Sequence, residues 1–143
     1  MKTGPAHAAA IEASLAIAAA RGGDLTSRVF AHLFREQPHM EALFRRDRDG
    51  SIKGEMLARV FEAILDFIGD RSYADHLIQC EVITHEGYDV PRDVFSTFFP
   101  FVADVVRDAC GPDWTPAMDE AWVRLLAELD YFVKHPDQAA VAT

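Results

Sequence analysis

Apolar residues spaced three and four apart recur in nearly every segment of this sequence, and that spacing is met by packed helices. Between 51 and 68, Leu57, Val60, Phe61, Ile64 and Ile68 fall on one face of a helix of about 3.6 residues per turn, and so apolar a face must be covered by other elements. The same spacing runs through Val29, Phe30, Leu33 and Phe34, through Val94, Phe95, Phe98, Val102, Val105 and Ala109, and through Trp122, Leu125, Leu126, Leu129, Phe132 and Val133. No segment has the period-two alternation of a half-buried strand. The expected fold class is therefore all-α, with six to eight helices. The 143 residues fit a single domain, 1–143, with its core at about 7–134 and a flexible tail at 135–143. Half of the residues are hydrophobic and ten are phenylalanine, enough apolar material to line a pocket as well as fill a core.

Glycine, proline and capping residues divide the pattern. A first helix over about 7–21 should end at Gly22-Gly23, and a second should start near Asp24 and break at Gln37-Pro38. A short helical turn carrying Met40, Leu43 and Phe44 then leads into a polar loop at 45–50. Ser51 is placed to cap the long helix ending near Ile68, and Ser72 with Asp75 has capping-box spacing ahead of the helix that stops at Glu86-Gly87. Pro91 can open the next helix, in which Pro100 predicts a kink or a division into two. Thr115-Pro116 marks the start of the last helix.

Composition excludes several functions. With a net charge of −9 the chain lacks the basic stripe of a nucleic-acid binder, and its one basic cluster, Arg45-Arg46-Asp47-Arg48, is expected to be a solvated loop. Cys80 and Cys110 have no CxxC spacing and are expected to be reduced and buried. The apolar stretch at 8–20 is broken by Glu12 and Ser14 and lacks a cleavage region, and no run reaches the ~20 residues of a membrane span. A cytoplasmic protein, a monomer or homodimer with no nucleic acid and no membrane as partner, is expected.

Among the six histidines, His85 stands out. Ile78, Glu81 and Val82 lie seven, four and three residues before it, on the same helical face, so its imidazole can point into an apolar cavity or serve as a hydrogen-bonded core residue. His39 and His135 adjoin prolines at helix ends, and His76 is directed to the other side of the helix from His85. No G-x-S-x-G, H-E-x-x-H, Walker or G-x-G-x-x-G motif occurs.

The segments "HLFREQPHMEALF", "THEGYDV" and "GPDWTPAMDEAWVRLL", in that order and spacing, resemble a globin, in particular a bacterial single-domain globin or the haem domain of a flavohaemoglobin. The resemblance covers about 7–134. It rests on Leu33-Phe34, Pro38 and Leu43-Phe44, on His85 with Val90, and on Gly111, Trp114-Thr115 and Ala121-Trp122. It implies a globin fold around haem b (iron protoporphyrin IX), with His85 as proximal iron ligand and Phe44 against the porphyrin. Val90 and Phe95 would touch the proximal edge, and Ile78 and Val82 share the face of His85. On the distal side it sets Lys53 at the ligand-facing position, Leu57 over the iron, and Phe30 where flavohaemoglobins carry a tyrosine. Lys53 would then either reach solvent and a haem propionate or swing inward as a distal ligand, and a shift of one residue would put Ile52 or Gly54 there instead. Glu81 either accepts from the imidazole Nδ1 or points off the haem edge into water.

The function implied is reversible binding of a diatomic gas, O2, NO or CO, for oxygen storage, gas sensing or NO detoxification. A pocket without the tyrosine donor should hold oxygen less well, which favours sensing or NO chemistry at least equally. NO dioxygenase turnover would need a separate reductase, since no flavin or nicotinamide segment follows the last helix; peroxidase-like activity is a chemical side possibility. The alternative is a globin-like sensory or interaction module without haem.

Overall fold

The computed structural model describes residues 5–135, and the tail at 136–143 lies outside them. Seven α-helices follow one another: α1 (Pro5–Gly22), α2 (Thr26–Glu36), α3 (Ser51–Ile68), α4 (Ala74–Gly87), α5 (Arg92–Phe95), α6 (Phe98–Cys110) and α7 (Pro116–Lys134). Short 3-10 helices at Pro38–Phe44 and Gly111–Asp113 link α2 to α3 and α6 to α7. No strand occurs among the described residues, so the chain is all-α. No helix among them is long and apolar enough to cross a membrane.

The apolar stripes set the packing. α1 lies against α6 and α7, α2 against α6, and α3 against α4. Ile11, Val29, Ile64, Val102, Val106, Leu125, Leu129 and Val133 are fully enclosed between them. One polar group sits in this core and is satisfied there: the Ser14 hydroxyl donates to the Ile11 carbonyl (2.7 Å) and accepts from the Trp122 indole (2.9 Å). Cys110, buried as expected, donates to the Ser14 carbonyl, and burial pushes its thiol above the usual range. Cys80, expected to be buried, is exposed.

The helix starts are held differently from what the sequence suggests. Thr115 caps α7 as predicted, its hydroxyl accepting from the Met118 N–H. Ser51, however, is the first residue of α3, and the capping is done by acids upstream. Asp47 accepts the N–H groups of Ile52 and Lys53, and Asp49 accepts that of Ser51, all at 3.0 Å. The Ser72–Asp75 capping box does not form. Asp66, near the end of α3, instead accepts the N–H groups of Ser72, Tyr73 and Ala74 at 2.8–3.0 Å and so clamps the start of α4 from across the turn. Asp24 bonds to Thr26, so α2 begins two residues later than the acid. Pro100 falls in the first turn of α6, and the chain is divided there into α5 and α6 rather than kinked.

An ion pair ties the α3–α4 turn to α7. Arg71 donates to both carboxylate oxygens of Glu128 (3.0 and 3.1 Å), with about a tenth of either side chain exposed, while its guanidinium lies 3.7 Å from the Phe67 ring centre. The turn that joins α3 to α4 is thereby anchored to α7, and the main cavity opens between those two helices.

Candidate functional site

A cavity of about 380 Å³ lies between α3, α4, the 3-10 helix at Pro38–Phe44 and the start of α6. Its inner end is buried and apolar, formed by Leu33, Met40, Ala63, Ile78, Phe98 and Phe99. Its mouth is framed by exposed Leu43, Ile52, Arg59 and Tyr88. A cavity of this size with apolar walls and a few charged groups at the rim suits an apolar ligand bearing a polar edge.

His85 projects into it from the last turns of α4. The imidazole Nδ1 is 2.7 Å from the Glu81 carbonyl, an acceptor only, so Nδ1 carries the proton and donates. In the neutral ring the lone pair is then on Nε2, the nitrogen left to coordinate or accept. The Glu81 carboxylate, at 3.6 Å from Nδ1, is beyond hydrogen-bond distance, so the backbone rather than the acid orients the ring. Phe95 meets the imidazole edge-on, with ring centres 4.9 Å apart. The side chain of His85 is 24% exposed.

The loop after α4 closes the same wall. Val90 N–H donates to the His85 carbonyl at 2.9 Å, a chain reversal made possible by a left-handed Asp89 (φ 65°). Val90 is thus returned to the cavity and buried beside the histidine-bearing helix. On the other side Phe44 lines the cavity and is braced by Phe30 and Phe34, with ring centres at 5.2 and 5.6 Å.

Of the residues singled out in the sequence, Phe44, Ile78, His85, Val90 and Phe95 are brought together on this cavity. Phe30 and Val82 are buried behind its lining. Lys53 is not brought there: its ammonium is 2.9 Å from the Asp47 carboxylate and 5.6 Å from the Phe44 ring centre, so it braces that ring from outside. Burial works against the Asp47 charge, but Lys53 and the two backbone N–H groups hold its carboxyl below the ordinary range. Leu57 faces the opposite way, into a separate cleft of about 470 Å³ that α1 and the start of α2 share with α3. The α3 residues that do line the main cavity include Ile52, Met56, Arg59 and Val60. Ile52, Met56 and Val60 repeat at i, i+4, i+8, one position before Lys53 and Leu57; of the two alternatives to Lys53, Ile52 lines this cavity and Gly54 the other cleft.

Among the described residues no three or more histidine, cysteine, aspartate or glutamate side chains gather as a metal-binding group. A lone imidazole holds a metal only when other ligands arrive with it, as in a macrocycle; the apolar lining beside His85, with one imidazole as donor, is compatible with such a group. No family model, curated protein or solved structure matches the chain.

Proposed function

We propose that the chain is a globin that takes haem b into the main cavity and reversibly binds a diatomic gas, O2, NO or CO. The observation that carries this reading is His85: its Nδ1 is committed to the Glu81 carbonyl, which leaves Nε2 as the uncommitted nitrogen of a residue that lines an apolar cavity. The same wall carries Phe95, Val90 and Ile78, and Phe44 stands at another side, so five residues of the globin resemblance converge on one volume. Seven helices in this order suit a globin fold, whose helices enclose a haem pocket.

Haem bound there would supply an iron able to take up and release a small gas molecule. The chain's own part is to hold and to exclude. His85 would hold the group through its remaining ring nitrogen, and the Glu81 carbonyl fixes the tautomer and orientation of the imidazole. Phe44, Phe95 and the aliphatic walls keep water from the centre, while Arg59 at the mouth offers a positive charge to the carboxylates of the cofactor. Among the α3 residues that line the cavity Arg59 alone carries N–H donors, and it stands exposed at the mouth, so the α3 wall inside it is Met56, Val60 and Ala63, which favours gases whose binding leans least on a donor, CO and NO over O2. Titrating the purified protein with haemin tests the reading: saturable one-to-one uptake with a sharp Soret band is expected, and a chain that leaves haemin free in solution contradicts it.

A further inference from the structure

The wall opposite His85 determines what else can reach a metal held there. Six residues of α3 line the cavity: Ile52, Glu55, Met56, Arg59, Val60 and Ala63. Ile52, Glu55 and Arg59 are exposed, Ala63 is buried at the inner end, and Met56 is half-buried between them. Only Glu55 and Met56 carry a lone pair that a metal can use. The Glu55 carboxylate lies in water, and drawing it into an apolar slot would cost several kcal/mol. The thioether of Met56 already belongs to apolar surroundings, is soft, and turns about three flexible bonds.

Position along the helices agrees. α3 and α4 pack on each other and are joined by the short turn at 69–73. His85 lies eleven residues beyond Ala74, where α4 begins, and eleven residues back from Ile68, where α3 ends, is Leu57. Both helices rise about 1.5 Å per residue, so His85 and the Met56–Leu57 step stand at the same distance from the turn. Of that pair, Leu57 faces the other cleft and Met56 the cavity.

We infer that Met56 is the sixth ligand of the haem iron, its sulfur opposite the His85 nitrogen in the resting protein. This inference rests on the haem reading above. It makes Met56 a gate: a diatomic gas reaches the iron only in molecules whose thioether has swung away, and apparent gas affinity is scaled down by that fraction. Departure of Met56 also removes a tie between α3 and α4, which gives gas binding a structural consequence suited to a sensor.

The second sulfur in the lining, Met40, is held 4% exposed on the 3-10 helix and serves as the comparison. Haem uptake is titrated for the wild type, Met56→Leu and Met40→Leu; methionine-to-leucine exchange conserves volume and leaves the fold intact. The loaded proteins are then compared by absorption, near-infrared magnetic circular dichroism and ferric EPR. The wild type is expected to be six-coordinate and low-spin with a sulfur-to-iron(III) charge-transfer band. Met56→Leu should lose that band, become five-coordinate when ferrous, and bind CO about 10–100-fold more tightly if the open fraction in the wild type is about 1–10%; Met40→Leu should keep the wild-type spectrum. A wild type that is five-coordinate, an unchanged Met56→Leu spectrum, or the change appearing in Met40→Leu instead overturns the assignment while leaving haem binding intact. Absence of haem uptake in all three overturns the assignment and the haem reading together.

Discussion

Asp66 offers the most direct test of how α4, and His85 with it, is positioned. Its carboxylate accepts three backbone N–H groups, from Ser72 (3.0 Å), Tyr73 (2.9 Å) and Ala74 (2.8 Å), and so does for α4 what a local capping residue would otherwise do. Burial disfavours its charge, but those three donors and the nearby Arg71 outweigh it and hold the carboxyl below the ordinary range. Asp66→Asn removes the charge and turns an NH2 group toward at least one of the donors. A lost cap costs about 0.5–2 kcal/mol and hydrogen bonds to a charged group about 1.5–3 kcal/mol, so for this half-buried site a loss of about 2 kcal/mol is expected. In a chain of this length that lowers Tm by roughly 6–10 °C. The sign of the pH dependence follows from linkage. Because the folded-state pKa lies below the unfolded one, the ionic part is fully present above about pH 4 and lost as pH falls through the folded value. Denaturant unfolding of both proteins, followed by circular dichroism from about pH 7 to about pH 3, should show the gap closing toward acid. A gap that is absent at neutral pH, or constant across the range, would refute the clamp.

Ser14→Ala leaves the buried Trp122 N–H without its acceptor, and urea unfolding should register a loss of about 1–3 kcal/mol; a loss under about 0.5 would mean that the indole finds another partner. Glu128→Leu strands the Arg71 guanidinium in a nearly buried site and should destabilise by about 2–4 kcal/mol, measured the same way, with an Arg71→Gly/Glu128→Leu double variant showing strong non-additivity. Asp89→Gly relieves a left-handed residue and should raise Tm slightly, whereas Asp89→Val should cost about 1–2 kcal/mol by thermal unfolding and loosen the return of Val90 to the cavity.

Periodicity made the helices legible because each buries a continuous stripe: α3 ends at Ile68 and α7 begins at Pro116, where their stripes and punctuation predict, and α3 begins at Ser51, one residue before the predicted start. Caps were less legible, since a carboxylate can serve a helix start from another element. Asp47, sitting within what looks like a solvated basic loop, has its side chain fully enclosed by Lys53 and the first turn of α3. Asp66 acts across a turn that local spacing cannot reveal. The His85 wall was readable because Ile78, His85, Val90 and Phe95 follow one another closely in the chain. The α3 wall was not, because an amphipathic helix with two apolar faces, Leu57 on one and Met56 and Val60 on the other, offers two registers of nearly equal quality. The exposed Cys80 carries no periodic signal of its own, standing between buried Ile78 and Val82 on the outer side of α4.

Replacing His85 with a hole separates the role proposed for its imidazole, holding haem, from folding. Helix content and Tm of His85→Gly report whether the chain still folds, and haemin titration with and without added imidazole reports the site. A folded variant is expected that binds haemin far more weakly than the wild type and regains tight uptake and the wild-type Soret position when imidazole fills the space. Undiminished haemin binding with an unshifted spectrum in His85→Gly, with no response to imidazole, would contradict it.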